Sequence, residues 1–177
     1  MTLLKILNLV FFVRSMEQIP CPCCGSRLYV IGSRQRKFLT SESQCNILVI
    51  RRLKCSYCNR IHHELPDILV PYKRYASEAI EPVVAEDPNL SVAVDESTIT
   101  RWRQWFAERA EHMAGCLESI RMRYGIGSVE GPPAPSLSVL QRIWHYVGNA
   151  PAWLARVVRP IANTNQWLHT RSAYCPN

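Results

Sequence analysis

Between residues 16 and 70 the chain alternates short apolar–polar runs with turn residues, the pattern of β-strands. The run RLYVIGSRQRKF interleaves apolar and polar positions, and NILVIRRLKC repeats the pattern. A period of two puts Ile47, Val49, Arg51 and Leu53 on one face of the second strand. Leu48, Ile50, Arg52 and Lys54 take the other. A third short strand is predicted over Arg60–Leu65, and Pro66 and Pro71 punctuate its end.

Beyond residue 72 the apolar spacing lengthens to that of helices. One helix is predicted over Tyr75–Val84, ending before the turn at Asp87-Pro88. A second starts at Asp95 to Ser97, either of which can cap it by accepting bonds from free backbone N–H groups. It runs past Trp105 toward Arg123 and stops before Gly125 and Gly127. Residues 126–136 read as a linker, and Leu137–Val147 and Trp153–Ile161 as two short helices. The fold class is therefore α+β: a small β region, a helical region, and a short helical C-terminal tail.

Residues 1–15 have a lysine and a short apolar run, Ile6 to Val13, superficially like a signal peptide. No small-x-small cleavage site follows, and the run is too short to span a bilayer. Met16 opens MEQIPCPCCG as a natural start would. The first fifteen residues are thus read as an upstream extension, with a docking strand or helix as the alternative.

The 177 residues suit one medium domain or two small ones, and a hydrophobic fraction of 47% is enough for an ordinary core. The formal net charge of +7 favours a polyanionic partner, because phosphates attract Lys and Arg whatever the sequence. The charge is uneven. Residues 16–75 hold ten Lys/Arg and four Asp/Glu, residues 76–100 hold six acids and no base, and residues 101–125 hold five Arg and three Glu.

Of the eight cysteines, four form two Cys-x-x-Cys pairs, Cys21/Cys24 and Cys55/Cys58. Two intervening residues let a tight turn aim both sulfurs at one ion, and two such turns complete a tetrahedron. Gly25 and Asn59 follow the second cysteine of each pair and tolerate the positive φ such a knuckle needs. Residues 25–54 between the pairs are enough for a β-hairpin. The expectation is one structural Zn2+ on Cys21, Cys24, Cys55 and Cys58 in a reducing cytoplasm, with Cys23, Cys45, Cys116 and Cys175 as ordinary thiols. The alternatives are a redox dithiol at Cys21–Cys24 and His62 or His63 in place of one cysteine. Four thiolates leave no open position for catalysis, and Glu64, the nearest carboxylate, reads as a solvated strand residue.

In ESTITRWRQWFAERA, Ile99, Trp102, Trp105 and Phe106 recur at helical spacing and read as a packing face. The remaining positions, Ser97, Thr100, Arg101, Arg103 and Gln104, can hydrogen-bond phosphates and base edges. A helix pair with such a surface is similar to a helix-turn-helix, although the connection 85–95 is longer than a compact turn.

The segments CPCCGS, IRRLKCSYC, IHHELPDILVPYKRY and DESTITRWRQWF resemble a bacterial domain-of-unknown-function family. Its members look like the zinc-ribbon and helix-turn-helix front end of insertion-sequence transposases. The tail WLARVVRPIANTNQWLHTRSAY is also similar to it, so the resemblance covers about residues 17–175. It implies zinc on the four paired cysteines and a recognition helix at 97–109. The chain is accordingly read as a zinc ribbon at 16–70, a helix-turn-helix-like region at 71–125 and a C-terminal helical segment at 137–177. No room remains for a ribonuclease-H-like catalytic domain. A tyrosine recombinase built on His169, Arg171 and Tyr174 is also disfavoured, because these crowd into one tail. The expected function is binding of double-stranded DNA without catalysis, with Arg51, Arg52 and Lys54 on the backbone. The rival is a protein-interaction module docking on a polymerase or transposition partner, and no membrane is expected.

Overall fold

The computed structural model describes residues 10–14, 18–125, 131, 133–167 and 173–174. Met16, much of the expected linker at 126–136, and His169 and Arg171 lie outside the described residues.

The chain is α+β, as its patterning predicts. Strands β2 (Leu28–Leu39) and β3 (Cys45–Cys55) form a long antiparallel hairpin. Its turn closes with Thr40 N–H donating to the Gln44 carbonyl at 3.1 Å. The other edge of β3 carries two strands end to end. Strand β1 (Val10–Phe12) runs parallel to Ile47–Val49, and β4 (Ile61–Leu65) runs antiparallel to Arg52–Lys54. A two-residue strand, β5 (Ala173–Tyr174), pairs parallel with Glu64–Leu65 at the end of β4. Within the N-terminal segment, Val10–Phe12 docks on the sheet as a strand. It is held mainly through its backbone, since Phe12 is 81% exposed while Val13 N–H donates to the Val49 carbonyl at 3.0 Å.

The side chains of β3 alternate as expected, but burial changes face along the strand. Asn46, Leu48 and Ile50 are buried in its first half, and Leu53 and Cys55, of opposite parity, in its second. The first set faces the helices. The second faces the cysteine-bearing end, and a register shift at Val30–Gly32 of β2 lies where the change occurs.

Helix α1 (Ser77–Val84) starts two residues later than its pattern suggests. Helix α2 (Glu96–Tyr124) is one long rod, with Asp95 accepting from Thr98 N–H at 2.8 Å and Gly125 closing it at φ 62°. The Asp95 carboxyl is pulled down to about 2 by the hydroxyls of Ser97 and Thr98 and by the Thr98 amide. The connection 85–95 is not a tight turn: it runs out to β2's end, where Ala93 N–H donates to the Ser41 carbonyl at 3.0 Å. Helices α3 (Val139–Val147) and α4 (Trp153–Asn163) follow, α3 opening on a capping box of Ser138 and Gln141. Arg156 ties the α3–α4 turn by donating to the carbonyls of Val147, Ala150 and Pro151 at 2.7–2.8 Å.

One core joins the sheet to all four helices. Phe38, Leu48, Ile50 and Leu65 meet Ile80 and Val83 of α1, Trp102, Phe106, Met113 and Leu117 of α2, Ile143 of α3, and Leu154, Val158 and Ile161 of α4. Each such side chain contributes roughly 1.5–3 kcal/mol by leaving water. The aromatic stripe of α2 packs as expected. Trp102 stands edge-on to Tyr75 at 5.0 Å, Phe106 meets Trp153 at 5.8 Å, and Ile99 and Trp105 are partly buried against the same core. Among the described residues no helix is long and apolar enough to cross a membrane.

Candidate metal centre and basic surface

The Cys21–Gly25 turn and the Cys55–Asn59 turn are built on one plan. Cys21 N–H donates to the Ser26 carbonyl at 2.8 Å, and Cys55 N–H to the Arg60 carbonyl at 3.0 Å, five residues on in each case. Gly25 at φ 74° and Asn59 at φ 59° reverse the chain. The amides thereby turn toward sulfur: Tyr57 and Cys58 N–H both donate to Cys55 Sγ at 3.4 Å. The amides of Cys23 and Cys24 act on Cys21 in the same way, as those of Ser26 and Arg60 do on Cys24 and Cys58.

This pseudo-symmetry interleaves the four sulfurs, which all lie within 4.8 Å of one another. Cys21 Sγ is 3.7 Å from Cys58 Sγ, and Cys24 Sγ is 3.5 Å from Cys55 Sγ. A tetrahedral ion with metal–sulfur bonds of about 2.3 Å needs sulfur–sulfur edges of about 3.8 Å. The cluster can therefore hold one metal ion with little movement.

Burial pushes the Cys21 thiol up to about 12 against the pull of the Cys23 and Cys24 amides. Hydrogen bonds from Ser26 pull Cys24 down to about 6. At Cys55 burial works upward, but the Tyr57 and Cys58 amides prevail and the thiol is lowered. The redox-dithiol alternative finds Cys21 and Cys24 each facing a cysteine of the other knuckle.

His62 is fully buried with Nε2 3.4 Å from Cys21 Sγ, and Cys21, Cys23 and His62 form a second, three-membered ligand group. That group shares Cys21 with the four-thiol set, which is complete without histidine. His62 thus abuts the four-sulfur cluster through Cys21. Cys23 accepts from Arg60 Nη1 at 3.1 Å and reaches Asn165 Oδ1 at 3.7 Å, joining the knuckle to the segment after α4.

Glu64 departs from its expected solvated position. It is 1% exposed, and the Arg51 guanidinium grips both its oxygens. Register explains this, because Arg52 pairs with His63 and places Arg51 across from Glu64. The three basic residues expected to face DNA from β3 are thereby divided. Arg51 lies on the Glu64 face, while Arg52 and Lys54 lie on the other. On that second face the register adds Arg34 and Tyr29 from β2, with Tyr29 opposite Lys54 and His63 opposite Arg52. Arg34, Arg52 and Lys54 have no ion-pair partner among the described residues. Burial and then the charges of Arg34, Arg52 and Arg36 hold the His63 imidazole below its usual range, which registers the positive field there.

At the start of α2, Ser97, Thr100, Arg101, Arg103 and Gln104 are all exposed. Arg101 folds back on the first turn, donating to the Ser97 carbonyl at 3.0 Å and to its hydroxyl at 2.9 Å. Gln104 donates to Glu108 at 3.0 Å. The side chains of Thr100 and Arg103 make no hydrogen bond or ion pair among the described residues.

Residues 21–102 match a family model described as a domain of unknown function, DUF6431. The match takes in both cysteine knuckles, the sheet from β2 to β4, α1 and the first turns of α2. No curated protein and no solved structure matches the chain.

Proposed function

We propose that the protein is a zinc-ribbon DNA-binding protein, with one structural Zn2+ on Cys21, Cys24, Cys55 and Cys58. Four thiolates form a closed shell that zinc fills, and such a centre stabilises a small sheet outright. The observation that carries the DNA reading is the convergence of Arg34, Arg52 and Lys54 on one sheet face, with no ion-pair partner among the described residues. An arginine- and lysine-rich face attracts phosphates and tracks the duplex backbone. The start of α2, with Thr100 and Arg103 free to reach outward, supplies side chains suited to base edges in a helix-turn-helix-like manner. The likeness of its motifs to the front end of insertion-sequence transposases supports a mobile-element setting in a bacterial cytoplasm, where the thiols stay reduced.

The test is duplex binding by the metal-loaded chain over a series of salt concentrations. Replacing Arg34, Arg52 and Lys54 with Ala is expected to weaken binding to all sequences and to flatten the salt slope by about 0.9 for each phosphate no longer neutralised. A parent that binds no duplex at moderate salt, or a triple variant with an unchanged slope, overturns the reading. The second reading is a docking module for a polymerase or transposition partner. The outer edge of β2 favours it: no strand pairs there among the described residues, and Tyr29, Val30 and Ile31 are exposed along it.

A further inference from the structure

A cleft of about 180 Å³ lies on the helical side of the molecule, and no cysteine lines it. Three pieces of chain form it: Pro71–Lys73 after β4, the middle of α2, and Trp167 beyond α4. Trp105, Met113 and Trp167 make its apolar lining, and Lys73 and Arg109 bring two positive charges.

The charges are placed by the backbone. Tyr72 adopts φ 62°, an uncommon conformation for a residue with a side chain, and so turns the chain at the rim. Lys73 is then pinned on both sides, its N–H donating to the Val70 carbonyl at 3.1 Å and its carbonyl accepting from Arg36 Nη2 at 2.9 Å. Its ammonium lies 4.3 Å from the centre of the Trp105 ring. His112 Nε2–H donates to the Gln166 carbonyl at 3.0 Å and so fixes the chain at Trp167.

Neither Lys73 nor Arg109 has an ion-pair partner among the described residues. Glu108 is the one carboxylate acting on Lys73, and it is hydrogen-bonded to Gln104 instead. Burial, and then the Arg109 charge, lower the Lys73 amine to about 8 against the opposing pull of Glu108.

We propose that this cleft binds a small planar aromatic acid, its ring against Trp105, Met113 and Trp167 and its carboxylate toward Lys73 and Arg109. Two unpaired cations call for an anion, and indole walls call for a flat apolar body. The volume lies below the range of about 300–1,000 Å³ typical of drug-sized ligands, which limits the occupant to one or two rings. The site is independent of the DNA-binding reading, since none of its residues belongs to the basic sheet face.

Calorimetric titration of the full, metal-loaded chain with benzoate and indole-3-carboxylate tests it. Benzamide, inorganic phosphate and a single-stranded oligonucleotide serve as competitors in kind. Saturable binding of the aromatic acids is expected, with quenching of tryptophan fluorescence by benzoate. Benzamide should bind at least about tenfold more weakly, because it lacks the charge-assisted contact. Lys73→Gln and Arg109→Gln should each weaken benzoate by about tenfold, with metal content and melting unchanged, and Arg109→Lys should recover part of the loss. Equal affinity for benzamide, or for phosphate, overturns the proposal. So does absence of binding, affinity unaffected by both Gln variants, or binding of the oligonucleotide alone, which would assign the cleft to an unstacked base.

Discussion

The Glu81 carboxylate of α1 accepts the Leu154 amide proton at 3.0 Å, and its other oxygen accepts that of Ala152, also at 3.0 Å. Helix α4 has no cap from its own side chains, and Ala152 before it sits at φ 66°. An acid from another helix thus satisfies the free amides at its start and faces the positive end of its dipole. Glu81→Ala is expected to cost about 1–3 kcal/mol, chiefly from the buried Leu154 N–H left unpaired, as read by denaturant unfolding. Burial raises the Glu81 carboxyl above its ordinary value, against the opposing pull of the Leu154 and Ala152 amides. The folded chain then holds that proton more tightly than the unfolded one. Its contribution is largest in acid and falls as pH rises through the carboxylate range. The melting advantage of the parent over Glu81→Gln should shrink along that rise.

Metal dependence is the second expectation. Elemental analysis of the reduced, folded chain should find about one zinc per chain. Cys24→Ser or Cys55→Ser should lose the metal and unfold the knuckle end, because the free energy of metal binding is folding free energy, about 10–16 kcal/mol in zinc-finger peptides. A folded, reduced sample free of zinc and of any other bound metal contradicts it.

Arg51 and Glu64 give an asymmetric pair of outcomes. Arg51→Ala strands a buried carboxylate and should destabilise the sheet by about 3–5 kcal/mol. Removing both charges, as Arg51→Met with Glu64→Leu, should recover most of that loss. An Arg51→Ala variant that is fully stable but weak in DNA binding would instead return Arg51 to the DNA-contacting set.

The exposed set on α2 should behave in the opposite way. Thr100→Ala, Arg103→Ala and Gln104→Ala are surface changes expected to alter stability by no more than about 0.5 kcal/mol. In a duplex-binding assay, Arg103→Ala should cost roughly 1–3 kcal/mol and relax sequence preference at one position if it reads a guanine. A uniform loss across sequences would place it on a phosphate.

Local chemistry was legible in the chain. The cysteine spacing announced the four-sulfur cluster, and Gly25 and Asn59 took the positive φ their positions required. Asp95, Gly125 and the aromatic spacing of α2 marked that helix, because caps and periodicity act within a few residues. What stayed hidden depends on register and on neighbours distant in sequence. Glu64 looks solvated until β4 pairs with β3 and sets it opposite Arg51. Arg34 looks like part of a scattered basic run until β2 aligns it on the face of Arg52. No local signal ties Glu81 to the start of α4. His62 had one cue, its place close after Cys58, but its nearness to Cys21 follows only from the fold.

Strand β3 feeds the helical core with Leu48 and Ile50 and the knuckle end with Leu53 and Cys55. This sets unequal rules for change in length. One residue added between Ile50 and Leu53 would reverse the facing of everything beyond it, carrying the Cys55 sulfur to the wrong side of the sheet. The hairpin tip at 41–43 carries no such phase and can lengthen at a cost that grows only slowly with loop size. Variation in length should therefore collect at the tip, while the spacing from Leu48 to Cys55 stays fixed to the residue.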